Sequence, residues 1–174
     1  MIIRDPSLSA NSSRDSRSKE LVELIVLIPT IIETLAGTIP DHILEGKSLK
    51  SSLNCKSNEP LQEYATSEYD YSVAPISSQV NADPRRARFY MIATQRWKYI
   101  YNLEYRPILF NLQEYPMELN DLGGDANYFK IKRELNDQLL GWSLRHSQRI
   151  TRSNAELVSR QGCSKSLGVR KGFW

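Results

Sequence analysis

The residues of this chain best suited to proton transfer are the acids Glu63, Glu68 and Asp70, in the segment EYATSEYD. Side chains alternate along a strand, so Glu68 and Asp70 share one face and lie close together. Two neighbouring carboxylates can form a pair for acid–base work. The same acids on a strand facing water are simply a solvated face, and both readings stand here. The two cysteines, Cys55 and Cys163, have no C-x-x-C spacing. No structural disulfide is expected, which points to a reducing, cytoplasmic compartment. His146 follows a helical pattern between Arg145 and Arg149. A cation there suits a helix C-terminus, and no carboxylate lies nearby in sequence to orient the imidazole for catalysis. Trp97, Tyr99 and Tyr101 with Lys98 imitate an RNA-stacking sheet, but the spacing and glycines of such sheets are absent, so the aromatics read as core. Gly123-Gly124 reads as a turn before a helix, and no glycine-rich phosphate loop occurs.

These residues need elements to position them. A chain of 174 residues, 25% charged and 40% apolar, has the composition of a soluble globular protein. A net charge of +3 is too small to signal a nucleic-acid partner. Basic residues gather only in the tail, with Arg145, Arg149, Arg152, Arg160, Lys165, Arg170 and Lys171 against Glu156. That tail reads as solvated or partner-facing. The longest apolar run, Leu21 to Ile28, is broken by Glu23 and is far too short to span a bilayer. No membrane association and no signal-peptide core at MIIRDPSLS are expected.

Along the chain, Ile2-Ile3 reads as the end of a strand stopped by Asp5-Pro6, and residues 7–18 as a mobile loop. Leu21 to Ile28 is either a buried strand or the run-in to a helix. Pro29 fits the first helical turn, Thr30 to Ala36 continues it, and Gly37 is expected as the left-handed residue that ends it. Residues 61–73 read as a strand with an acidic face, and 77–86 as a loop. Arg88 to Ala93, Trp97 to Tyr101 and Ile108 to Leu112 are short strands in sequence, which predicts an antiparallel meander. Asp125 can cap a helix running to about Arg145. Tyr128, Ile131, Leu135, Leu139 and Trp142 recur at spacings of three and four, forming one stripe that should lie on the meander.

Four collinear segments resemble the sulfatase branch of the alkaline phosphatase superfamily. IIRDP is similar to the strand that follows that family's metal site. LIVLIPTIIETLAG and PDHILEGKSL resemble its D-x-x-P-T-[IL]-[IL]-x-x-x-G helix and the following P-x-x-x-x-D-G-x-S-L. RWKYIYN with ILFNLQEYPMELNDL resembles its K-[YL] strand and L-[FY]-[DN]-L-x-x-D-P-x-E-x-x-N-L. EYATSEYDYS, LLGWSLRHSQRITR and the closing GFW look most like phosphonate monoester hydrolases. Val26, Glu45 and Tyr115 stand where the family pattern has aspartates.

The resemblance implies an α+β fold, a small antiparallel sheet with a packed C-terminal helix, as the C-terminal subdomain of an alkaline phosphatase-like α/β enzyme. It implies a layout in four parts. Residues 1–50 are a remnant of the end of the large α/β domain, 51–86 a loop-rich connection with one strand, 87–147 the sheet plus helix, and 148–174 a basic tail. The intact family hydrolyses sulfate, phosphate or phosphonate esters with a divalent metal and a formylglycine made from the Cys or Ser of C-x-P-x-R. Neither Cys55 nor Cys163 stands in such a motif. Asp41-His42 lies after the P-T helix, whereas the family's metal pair precedes IIRDP. The expectation is therefore a truncated C-terminal fragment with no catalytic, cofactor-binding or metal residues of its own, inactive alone. Glu68, Tyr69 and Asp70 are its candidate cleft-lining residues. Its expected partner is the missing N-terminal half or a second copy. The alternative is a non-catalytic interaction or oligomerisation module.

Overall fold

The computed structural model describes residues 2–54, 60–81, 83–145 and 154–159. They fall into two compact units, one made of the chain up to Leu24 with Ser51–Arg145, the other including Ile25–Lys50.

In the second unit, helix α1 (Leu27–Thr34) follows a 3-10 turn at Leu24–Val26. The apolar run is thus a run-in to a helix. Pro29 sits in the first turn, where an N–H has no intrahelical acceptor to lose. Val26, at the N-cap, offers no side-chain acceptor. The buried Thr30 hydroxyl donates to the Val26 carbonyl (2.6 Å) and accepts from Leu49 N–H (2.9 Å), which ties the following connection back to the helix. The helix ends at Thr34, two residues earlier than expected, and the left-handed residue falls one earlier. Ala36, not Gly37, has the left-handed φ of 58°. Ala36 N–H bonds to the Glu33 carbonyl and Gly37 N–H to Ile32 (3.1 and 2.8 Å), the paired bonds of a Schellman cap. Gly37 is needed for space: a Cβ there would meet Ile32 Cγ2 at 2.9 Å.

In the first unit, residues 2–6 form no strand, and the Ser-rich stretch expected to be a loop holds a 3-10 helix at Leu8–Ser13. Its hydroxyls find local and distant partners: Ser13 Oγ donates to Ala10 O and Ser9 Oγ to Asn54 Oδ1, both at 2.9 Å. Helix α2 is a single turn at Lys50–Leu53.

Four strands form one antiparallel sheet in sequence order: β1 (Ala65–Asp70), β2 (Arg88–Ala93), β3 (Trp97–Asn102) and β4 (Ile108–Asn111). Between β1 and β2, a short helix α3 (Pro75–Gln79) replaces the start of the expected loop, with Pro75 at its first position. The β2–β3 hairpin closes at Thr94, whose Oγ1 accepts from Trp97 N–H at 2.9 Å.

Asp125 accepts from Asn127 N–H (2.8 Å) and opens a 3-10 turn that runs into helix α4 (Phe129–Arg145). α4 lies on one face of the sheet. The register sets Ile92 opposite Tyr99 and Tyr99 opposite Leu109. These three form the buried core with Leu135 and Leu139, the centre of the expected stripe. Burying each leucine stabilises the unit by about 1.5–3 kcal/mol. A short helix α5 (Asn154–Ser159) lies in the tail.

Candidate functional site

Antiparallel pairing places Asp70 opposite Arg88 and Tyr69 opposite Phe89. Arg88 therefore reaches both acids on its face: its Nη1 lies 3.5 Å from Glu68 Oε1 and its Nε 3.4 Å from Asp70 Oδ2. Glu68 and Asp70 do come together, as the period-two reading required, but across one guanidinium. Tyr69 points to the other face and is exposed. Of the three expected cleft-lining residues, Glu68 and Asp70 thus share one face and Tyr69 lies on the other. Glu63 lies before β1 and is exposed.

The electrostatics oppose a proton-transfer role. A general acid at neutral pH needs its pKa raised by burial or by an uncompensated neighbour. Asp70 is held below the ordinary carboxylate value, first by hydrogen bonding from Ser72, whose N–H donates to Oδ1 at 2.9 Å, and then by Arg88. The arrangement is a solvent-exposed ion-pair cluster at the edge of the sheet, of the kind that adds little to stability.

Asp41 and His42 approach to 3.9 Å between Oδ1 and Nδ1, with the Asp41 side chain largely in water. Among the described residues no group of three or more His, Cys, Asp or Glu side chains could hold a metal ion. The donor set of the metal implied by the sulfatase resemblance is not met by them. His146, Cys55, Cys163 and the basic residues beyond Arg145 lie outside the described residues.

The aromatic ladder belongs to the core. Tyr99 is buried, its hydroxyl lies 3.4 Å from Asn136 Oδ1, and burial pushes its pKa up to about 12. Trp97 meets Tyr128 edge to face at 5.7 Å. These rings face α4 and are not a platform for bases. Among the described residues no helix is long and apolar enough to cross a membrane.

Sequence reasoning missed the polar residues that build the corners. Asn102 ends β3 buried, its Oδ1 accepting from Glu104 and Tyr105 N–H (2.8 and 3.2 Å), and its Nδ2 donating to Arg88 O (2.7 Å). Asn111 does the same at the end of β4 for Gln113 and Glu114 (3.3 and 3.4 Å). The available signal was an Asn closing an apolar strand before a polar turn. Asp121 gathers Leu109 N–H, Gly123 N–H and Arg106 at 3.1, 2.8 and 2.8 Å. Lys132 Nζ, reaching back from α4, donates to Gly123 O and Asp125 O (2.7 and 3.0 Å), and the Gly-Gly pair is the expected turn.

Known proteins share this architecture. The model of the family described as N-sulphoglucosamine sulphohydrolase, C-terminal, matches residues 1–145. The chain is 26% identical over 132 residues to the multifunctional alkaline phosphatase superfamily protein PehA of Trinickia caryophylli, covering 73% of this chain and 25% of that protein. The fold is similar to that of the phosphonate monoester hydrolase of Agrobacterium radiobacter, with a TM-score of 0.61 and 25% identity over 70% of this chain and 24% of that one. The phosphonate monoester hydrolase SpPMH from Silicibacter pomeroyi also has a TM-score of 0.61, at 22% identity over 70% of this chain and 25% of that one, a likeness of fold alone. The chain spans about a quarter of the length of these relatives.

Proposed function

This chain belongs to the family of N-sulphoglucosamine sulphohydrolase C-terminal regions, and we propose that it is the sheet-and-helix support of an ester hydrolase whose bond-breaking groups lie outside it. The observation that carries this reading is a pairing. The family match runs over residues 1–145, and within the same sequence there is neither a C-x-P-x-R nucleophile motif nor, among the described residues, a metal donor cluster. The reaction class is hydrolysis of sulfate, phosphate or phosphonate esters, with the divalent metal and formylglycine supplied by the catalytic part. The sheet and α4 close one side of the cleft and contribute to oligomer contacts, and the chain alone is inactive. A reducing, cytoplasmic compartment goes with this reading, on the two isolated cysteines.

The partner surface we assign is on α1. Ile28, Ile31 and Leu35 recur at spacings of three and four and are 56%, 57% and 77% exposed. Such a stripe is an apolar helix face waiting for cover, and the α/β part of a hydrolase is the cover proposed. The same stripe favours a second reading, a non-catalytic oligomerisation module in which a second copy supplies the cover.

The test is an assay of the full chain on aryl sulfates, phosphate diesters and phosphonate monoesters with manganese, calcium and magnesium supplied. No turnover is expected. Metal-dependent turnover that survives Cys55→Ala and Cys163→Ala would overturn the reading, because the catalytic groups would then be within this chain.

A further inference from the structure

The two edges of the sheet are protected in different ways. β1 carries the charged Glu68 and Asp70, and its Thr66 N–H is taken by the Glu23 carboxylate. Charges and a plugged donor both deter another strand from adding there. β4 has neither device of its own. Its four residues, Ile108, Leu109, Phe110 and Asn111, are uncharged.

What closes β4 is the chain that follows it. Residues 112–122 turn back along the outer side of the strand. Tyr115 N–H donates to Asn111 O (2.9 Å), Leu122 N–H to Leu109 O (2.8 Å), and Asp121 Oδ1 accepts from Leu109 N–H (3.1 Å). Asp121 is the hub. The same Oδ1 accepts from Gly123 N–H at 2.8 Å, and Oδ2 lies 2.8 Å from Arg106 Nη1. A second tie joins Glu118 Oε2 to Lys98 Nζ at 2.7 Å. The turn just after the strap is pressed close to the chain entering β4: a Cβ at Gly123 would come within 2.0 Å of Pro107 O. The strap itself is under load, because Glu118 holds a left-handed φ of 56°, a strained conformation for a residue with a side chain.

We propose that residues 112–122 are a latched guard over the β4 edge, that Asp121 is the latch, and that opening the strap makes β4 a pairing edge for β4 of a second copy of this chain. A strand with free outward N–H and C=O groups and no charge is the kind that adds to another strand, and the same edge on two copies meets in a closed two-fold pair. Opening is local: it releases the strap and Leu122, while Ile92, Tyr99 and Leu109 remain under α4. The inference is independent of the hydrolase reading, because it concerns only the sheet edge and its own strap.

The experiment uses the full chain with Ile31→Lys and Leu35→Lys, which removes the α1 stripe as a competing cause of association. Asp121→Asn is expected to speed amide exchange at Leu109 and Leu122 roughly tenfold or more, since a charged acceptor of N–H bonds is lost. The β2 and β3 amides should keep their protection. Sedimentation should show a concentration-dependent dimer, and in a mixed-label sample intermolecular NOEs should join β4 to β4. Unchanged exchange at Leu109 and Leu122, faster exchange without a dimer, or a dimer with NOEs elsewhere would each overturn the proposal. If Asp121→Asn also strips protection from β2 and β3, Arg106→Met decides. It spares both amide bonds of the latch and removes only its outer ion pair. A rise confined to Leu109 and Leu122, with the β4-to-β4 dimer, supports the latch, and its absence overturns it.

Discussion

Asp121 shows how one carboxylate can organise a corner. Burial by itself would raise its pKa, but the Gly123 and Leu109 N–H groups and then Arg106 outweigh that and hold it below 3.8. A carboxyl depressed in the folded state stabilises fully above its unfolded value and loses that contribution as pH falls through the lower folded value. Asp121→Asn should therefore cost about 1.5–3 kcal/mol at neutral pH. The gap to the native chain should close only below pH 3.8, where the native carboxyl takes up a proton too. Urea unfolding across an acid series measures this, and a gap that widens toward acid would contradict it. Ala36 offers the opposite case. Its left-handed φ of 58° strains an alanine but not a glycine. Ala36→Gly should raise stability by about 0.5–1 kcal/mol, read from the urea midpoint.

At the scale of elements, α4 is held by a narrow stripe. Leu139 is buried against the sheet core while its neighbour Leu140 is 54% exposed. Leu139→Ala should cost about 2–5 kcal/mol through the cavity it leaves. Leu140→Ala should change stability by less than about 0.5 kcal/mol. Equal effects of the two changes in thermal or urea unfolding would mean that α4 does not seat as described. The β1–β2 pair supplies the complementary lesson. Pairing across strands turned Glu68 and Asp70 from a candidate acid–base couple into two partners of Arg88.

For the molecule as a whole, the exposed apolar face of α1 carries a prediction about behaviour in solution. The full chain is expected to self-associate, and Ile31→Lys with Leu35→Lys should shift it toward monomer in sedimentation, because charge on an apolar face opposes its burial. Hydrogen exchange should be faster in Leu27–Thr34 than in Trp97–Asn111, since one side of α1 lacks cover. Slow, equal exchange in a monodisperse monomer would show that the chain has built a complete core by itself, and the assignment of α1 as a partner surface would fall.

The sequence by itself determined what is local and periodic. Alternation at Trp97, Tyr99 and Tyr101 made a strand with its aromatics inward. The three- and four-residue spacing from Tyr128 to Trp142 made the helix that covers them, and Asp125 marked where it begins. The family was also legible, because ILFNLQEYPMELNDL keeps residue types at fixed separations along the chain. Tertiary structure alone decided what depends on separation in space. Arg88 reaches both Glu68 and Asp70 only because β1 and β2 pair in one register. Asp121 meets Leu109 and Arg106 only because the chain folds back along β4. The left-handed residue after α1 fell on Ala36, where the cap bonds to Ile32 and Glu33 close the helix, while Gly37 meets a need for room beside Ile32. Periodicity reports which face of an element is apolar, whereas the charge and hydrogen-bond environment of a residue is set by neighbours that the chain brings close only when it folds.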